Sequence, residues 1–355
     1  ALAARGMWWL ASAEQARGEK LASETSEKDM DRMRDALGKA KRDLSKALEL
    51  NPRIMPAYSA LIHATQFDDD DALAASAIEK AIAVSPQNFY PRAALAYKER
   101  PRWGGSYEAM DKIADDAARY VGSNPRLADL KAIALGERAM QPYWAKDYAE
   151  ALRGFDKALA YGPEWSYLDC ARYAAESSGA DVRAIELLSQ MLRFSPWASE
   201  QRRDRAGVLA KTGRDDWAQE DLDVVLRMQP RDKATMHSYA SLMMHRKDDE
   251  GAERKLKELI AADPDDRWAA TSLAWLYIHR MRRLDAASAI LDPMLKKEPE
   301  SGDLWLLRVE LLEKSGKDAG MREALESFVR YADPASRDQQ AAVPIAKRWL
   351  ASHPH

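Results

Sequence analysis

The sequence predicts an all-α fold, an array of about nine helix pairs closed by a C-terminal capping helix. Three observations predict it. Prolines recur at Pro52, Pro86, Pro125, Pro163, Pro196, Pro230, Pro264, Pro299 and Pro334 at intervals of 33 to 39 residues, with Pro354 following at a shorter interval. A period of that length marks stacked supersecondary units. The segments that these prolines close carry apolar residues at i, i+3, i+4 and i+7, one face of a helix. No stretch alternates apolar and polar residues as a half-buried strand does.

Taken in order, residues 1–52 read as an atypical N-terminal capping unit. Met7-Trp8-Trp9-Leu10 forms an apolar patch on a helix, and a polar stretch from Ser23 to Asp31 leads into the first clear second helix. Residues 53–334 read as the array proper. Twelve residues before the proline stands a small residue, Ala40, Ala74, Ala151, Ala218, Ala252 or Ala287. Eight before it stands a large one, Leu44, Ile78, Phe155, Leu188, Leu222, Leu256 or Leu291. Five before it comes Ala47, Ala81, Ala158, Met191, Val225, Leu259 or Met294. Small residues let two helices approach and large ones fill the space between pairs. Proline then ends the helix, because it cannot donate an N–H and disfavours helical geometry in the residue before it. Turn signals part the two helices of a unit: Ser178-Gly179 with Asp181, Gly213, Lys247-Asp248-Asp249, and Gly316 with Asp318. Two loop insertions are expected, near 100–106 (Arg100-Pro101-Arg102-Trp103-Gly104-Gly105-Ser106) and near 140–146, around Gln141-Pro142-Tyr143-Trp144. Residues 335–355 read as a capping helix and tail, with Val343, Ile345, Ala346, Trp349 and Leu350 packing on the last full unit.

The segment Asp147-Tyr148-Ala149-Glu150-Ala151-Leu152-Arg153-Gly154-Phe155-Asp156-Lys157-Ala158-Leu159, followed by Pro163, resembles the second helix of the tetratricopeptide repeat (TPR) family. First-helix matches are Leu273-Ala274 with Tyr277, and Trp305 at the family's tryptophan position. Arg172 and Arg205 depart, standing where an apolar residue is usual. The resemblance covers roughly residues 30–335. It implies an α-α superhelix, a TPR-like solenoid, with first helices lining a concave face. The Trp-Gly-Gly-Ser loop followed by Tyr107-Glu108-Ala109-Met110 also resembles one in an uncharacterised bacterial TPR group, a likeness that brings no activity with it.

Composition narrows the chemistry. The 355 residues hold 54 Lys+Arg against 57 Asp+Glu, a net charge of −3, with no acidic or basic block. No nucleic-acid partner is expected, since such proteins show a basic surplus. The apolar runs are too short for a membrane span. A single cysteine, Cys170, excludes an internal disulfide and any cysteine-cluster zinc site. On an Ala-rich helix it reads as core before nucleophile. Phosphate-binding glycine loops and the nucleophile-elbow and zinc-protease motifs are absent. His237 and His245 lie eight apart, about 12 Å along a helix, too far to share one metal. His353 and His355 sit at the terminus, where metal binding would be adventitious. Asp68-Asp69-Asp70-Asp71 lacks the alternation, glycine and distal glutamate of an EF-hand; the expected role is capping of the helix that Asp71 precedes. No catalytic residue, metal or cofactor is expected. Arg202-Arg203-Asp204-Arg205 and His279-Arg280-Met281-Arg282-Arg283 read as solvated faces or as contacts for an acidic peptide or phosphate. The sequence leaves the compartment unknown, with cytoplasm and periplasm both open; the opening Ala1-Leu2-Ala3 fits the trace of a removed signal or anchor, or an arbitrary boundary.

Candidate binding residues come from the repeat register. The ninth first-helix position, which faces the concave side, holds His63, Tyr97, Tyr173, Ser241 and Trp275; the second and fifth add Tyr90, Arg203, His237 and Trp268. Such a lining suits a peptide with apolar or arginine anchors. Trp103 and Trp144, in the two expected insertions, are alternative loop anchors. Trp165, Trp197, Trp217 and Trp268, at helix starts and turns, read as stacking anchors between units. The three asparagines, Asn51, Asn88 and Asn124, all lie in proline turns, so an asparagine-based clamp for a terminal carboxylate is not expected. The resulting expectation is a non-catalytic scaffold that binds a peptide or protein in its groove, in an oligomeric state the sequence leaves open. Alternatives are a neutralising, immunity-type partner of a toxin or secreted protein, a membrane-tethered assembly factor, and a metal-dependent or hydrolytic enzyme on a helical scaffold.

Overall fold

The computed structural model describes residues 1–18 and 24–353, so Ser23, Pro354 and His355 lie outside the described residues. Among the described residues there are nineteen α-helices and no strand. They fall into two compact units, residues 1–187 and 188–355.

The first unit contains α1 (Leu2–Arg17) and α2 (Glu27–Leu50), α3 (Met55–Ala64) and α4 (Asp71–Val84), α5 (Phe89–Lys98) and α6 (Tyr107–Ala118), α7 (Asp129–Trp144) and α8 (Tyr148–Leu159), then α9 (Trp165–Ser177) and the start of α10 (Asp181–Phe194). The second unit contains the rest of α10, then α11 (Ser199–Lys211) and α12 (Asp215–Met228), α13 (Lys233–His245) and α14 (Asp249–Ala262), α15 (Arg267–Leu276, extended by a π turn over Tyr277–Met281) and α16 (Leu284–Lys297), and α17 (Gly302–Ser315) and α18 (Met321–Tyr331). The chain's last described helix is α19 (Arg337–Ser352).

The register explains the packing. Ala40, Ala151, Ala218, Ala252 and Ala287 are fully buried, as are Leu44, Phe155, Leu188, Leu256 and Leu291. Each such pair sets a close approach beside a filled gap, the arrangement that buries a helix's apolar stripe against its neighbour. Ile78 and Met294 are only partly buried. The turns are capped by the residues that carry their sequence signal. Asp147 accepts from the Glu150 amide at 3.1 Å, Asp248 from Gly251 at 2.9 Å and Ser106 from Ala109 at 3.1 Å. Each such cap is worth about 1 kcal/mol. No helix crosses Pro230 or Pro264.

Several expectations change. Residues 140–144 are not a loop: α7 continues through Pro142 to Trp144. A proline one turn from a helix end forfeits a single intrahelical bond, and the Pro142 carbonyl still accepts from the Asp147 amide at 2.9 Å. Residues 100–106 do form a connecting segment, with one 3₁₀ turn over Pro101–Trp103. The cap of α4 is Asp70, which accepts from the Leu73 amide at 3.2 Å; Asp71 is the first helical residue. Of the expected stacking tryptophans, Trp197 is 71% and Trp217 59% exposed, and neither is buried between helices. On α19, Ala346, Val343, Trp349 and Leu350 join the core formed with α17 and α18, but Ile345 is 61% exposed because it lies on the opposite face.

Candidate functional site

In the first unit, the first helices α1, α3, α5 and α9 present their side chains to one cavity of about 990 Å³. His63, Tyr90, Tyr97 and Trp103 all line it. The sequence register placed the first three together; Trp103, named as a loop anchor, belongs to the same surface. Its position follows from the loop backbone. Gly104 turns at φ +88°, and a Cβ on Gly105 would fall 2.3 Å from the Glu99 backbone, so only glycine fits there.

A buried carboxylate holds that loop. Glu137 on α7 is 2% exposed and takes the guanidiniums of Arg100 at 3.2 Å and Arg102 at 3.4 Å, with the Tyr167 hydroxyl donating at 3.3 Å. Arg100 also lies 4.3 Å over the Tyr97 ring, and Arg102 lies 5.7 Å over the Trp144 ring. Trp144 is therefore an exposed helix end linked to the cavity wall through Arg102, not a separate loop. Tyr97 donates to Glu164 at 3.3 Å; burial, and then the neighbouring Glu164 carboxylate, push its hydroxyl up to about 12. Arg126 lies 4.8 Å over Tyr90 and donates to its hydroxyl at 2.8 Å. His63 faces Glu14 at 3.4 Å.

Tyr173 lies elsewhere. It is 44% exposed and packs edge-on against Tyr148 at 5.6 Å and Tyr143 at 6.0 Å. Beside this cluster Cys170 is only partly buried, and burial raises its thiol to about 11.

The second unit has its own cavity, about 640 Å³, lined by α11, α13 and α15. His237, Ser241 and Trp268 meet there, with His245 and Gly207. The imidazole of His237 lies 4.5 Å from the Trp268 ring and 2.7 Å from buried Asp266. His245 faces a different acid, Asp215, at 3.7 Å. A Cβ on Gly207 would meet nothing within 4 Å, so this glycine serves no close packing. Arg203 and Trp275 do not line this cavity: Arg203 pairs with Asp232 at 3.1 Å, and Trp275 packs 5.0 Å from the His279 ring.

The departures from the repeat pattern have local causes. Arg205, with Arg202, neutralises Asp221, which is 3% exposed on α12. Arg172 pairs along its own helix with Asp169 at 2.8 Å. The Asp68–Asp71 run is likewise taken up locally, Lys41 reaching Asp68 at 2.6 Å and Lys98 pairing with Asp71. Among the described residues no group of three or more His, Cys, Asp or Glu is placed to hold a metal. No described helix is long and apolar enough to cross a membrane.

The register missed Arg100, Arg102, Arg126, Glu137 and Glu164. Arg100 and Arg102 flank Trp103 in the sequence and Arg126 follows Pro125, so their neighbourhood was visible, but not the direction in which loop and turn fold.

Both cavities are lined by first helices of helix pairs, α1, α3, α5 and α9 in one and α11, α13 and α15 in the other. Residues 243–311 match the tetratricopeptide repeat family model. No curated protein matches the sequence. Among solved structures it is similar to a tetratricopeptide repeat protein from Parabacteroides merdae ATCC 43184, at 17% identity over 72% of this chain and 97% of that one, with a TM-score of 0.48. It is also similar to a chain of the APC/C hetero-tetramer Cut9-Hcn1, at 14% identity over 88% of this chain and 59% of that one, TM-score 0.42. A third likeness is to YrrB, a TPR protein with an unusual peptide-binding site, at 20% identity over 55% of this chain and 96% of that one, TM-score 0.40.

Proposed function

We propose that this protein is a non-catalytic interaction scaffold that holds a peptide or protein segment against the first-helix face, with the first-unit cavity as its principal contact. The observation that carries this reading is the convergence of His63, Tyr90, Tyr97 and Trp103 on one open, aromatic-walled space. Exposed aromatics in a concave setting are the side chains that dominate interface energies. Tyr90 is 55% and Trp103 47% exposed, so neither is needed to bury the core. The second cavity, with His237, Ser241 and Trp268, is a further contact surface of the same kind.

The test is to identify a partner by affinity capture and mass spectrometry, then measure its affinity for a Tyr90→Ala, Trp103→Ala double variant. Each useful anchor costs about 2 kcal/mol or more on truncation. Full affinity in a folded double variant would move the contact to the second cavity or to the Tyr173 cluster.

A further inference from the structure

Counted from the start of its helix, the ninth residue of a first helix is large on α3, α5, α9 and α15, where it is His63, Tyr97, Tyr173 and Trp275. On two adjacent first helices of the second unit it is small: Gly207 on α11 and Ser241 on α13. The cavity of about 640 Å³ opens at that gap. Packing does not ask for the glycine, since a Cβ there meets nothing within 4 Å. A glycine inside a helix weakens it relative to alanine, so the position carries a cost that no protein contact offsets. A ligand lying against the α11 backbone accounts for it.

The walls describe that ligand. Ala206 and Ala210 border Gly207 without long side chains, and Trp268 on α15 offers a ring that is 38% exposed. Polar groups are few. His237 is anchored through Nε2 to the buried carboxylate of Asp266 at 2.7 Å. That nitrogen donates to the carboxylate, so the neutral imidazole keeps Nδ1 as an acceptor, and no described residue donates to it. The Ser238 hydroxyl donates to the Ala234 carbonyl at 3.1 Å, whereas Ser241, one turn beyond His237 on the same face, has no hydrogen-bond partner among the described residues. His245, about 12 Å from His237 along α13, faces Asp215 at 3.7 Å, so both imidazoles already have a counter-charge. A mostly apolar space of this size with a few polar groups is the ordinary form of a small-molecule site. A dry cavity of about 150 Å³ already holds one benzene ring, so this one has room for a fused ring system.

We propose that the second-unit cavity binds a small uncharged molecule with planar fused aromatic rings and an N–H or O–H donor on its edge. The rings lie over Gly207 and against Trp268, and the donor meets His237 Nδ1 or the Ser241 hydroxyl. A charged ligand fits less well, because Asp266 and Asp215 already balance the two imidazoles. This inference goes beyond the scaffold reading and does not depend on it.

Isothermal titration of the full chain uses three probes of one skeleton. 2-Naphthol is planar and carries a donor, 2-methoxynaphthalene is planar without one, and decahydro-2-naphthol carries the donor on saturated rings. 2-Naphthol is expected to bind with a Kd below about 1 mM. Each analogue should bind about threefold to tenfold more weakly, the worth of one hydrogen bond or one ring contact. Gly207→Leu fills the gap from a position where a Cβ strains nothing, so it should weaken 2-naphthol at least about tenfold while the melting temperature holds or rises. Trp268→Leu, at an exposed ring, should remove the preference for planar over saturated rings. No binding of 2-naphthol below about 1 mM, a match between it and either analogue, or unchanged binding in Gly207→Leu would overturn the proposal. A ten-residue Ala/Ser peptide with one central Trp is the parallel sample. Tighter binding of that peptide than of 2-naphthol, lost in Gly207→Leu, would give the cavity to a partner's side chain; the small-molecule assignment would then fall and the scaffold reading would stand.

Discussion

Phe155→Ala is the sharpest test of how stability is distributed. Phe155 is fully buried on α8, stacked 6.1 Å from Tyr167 and edge-on 6.0 Å from Tyr143. Truncation removes the transfer free energy of a buried aromatic, about 1.5–3 kcal/mol. It also removes two ring contacts worth about 0.5–1.5 kcal/mol each. The remaining void adds a cavity term, so the expected cost is about 3–5 kcal/mol. The surroundings have little means of closing that void, because Ala151 and Ala158 are themselves buried and too small to fill it. Chemical denaturation gives the magnitude, and amide hydrogen exchange gives the location. In a repeat array each unit leans on its neighbours, so protection should fall first in α7, α8 and α9 and much less in α17 to α19. A loss below about 1 kcal/mol, or an equal loss of protection in every helix, would refute the argument that each large residue at this register position anchors its own neighbourhood.

Three further outcomes are expected. Arg205→Met strips a partner from buried Asp221 but leaves Arg202 at 3.1 Å, so urea denaturation should show a loss of about 1.5–3 kcal/mol, and a neutral result would mean Arg202 alone satisfies the acid. Asp303 is held down to about 2, first by its hydrogen bonds from Arg267. Its ordinary value is about 3.9, so the native state favours the ionised form. That stability is therefore complete above about pH 5 and lost as pH falls toward 2; with the side chain 45% exposed, screening reduces it to about 1 kcal/mol. The gap between wild type and Arg267→Met in denaturant midpoint should accordingly shrink at low pH, and a constant gap would contradict the pairing. Cys170, with its thiol raised to about 11, should react with a thiol reagent at least about tenfold more slowly in the native protein than in denaturant; equal rates would place it at the surface.

Much of this fold was legible because its information is local. The prolines of the repeat period each fall between helices, and most small and large positions counted back from them are buried because a helix of fixed pitch carries them to one face. Ala151, Phe155 and Ala158 needed nothing but their spacing to be assigned to the core, and the nine pairs with a capping helix follow from the same arithmetic. First-helix register likewise brought His63, Tyr90 and Tyr97 to one cavity, and His237, Ser241 and Trp268 to another.

Tertiary structure decided what depends on loops, turns and long-range charge. Pro142 stayed inside α7 two residues from its end, where it forfeits only its own N–H bond while its carbonyl still accepts from the Asp147 amide. Asp70 rather than Asp71 capped α4 because the helix begins at Asp71, which leaves the Asp70 carboxylate in position to accept from the Leu73 amide. The inward course of Arg100, Trp103 and Arg102 follows from Glu137, more than thirty residues away, whose buried charge demands partners that no local pattern can name. Tyr173 and Trp275 left the cavities for the same class of reason: each found aromatic neighbours, Tyr143 and Tyr148 for one and His279 for the other. Periodicity specifies which face of a helix is apolar; which side chains meet across the concave face depends on how successive pairs are stacked, and that is a property of contacts between residues far apart in the chain.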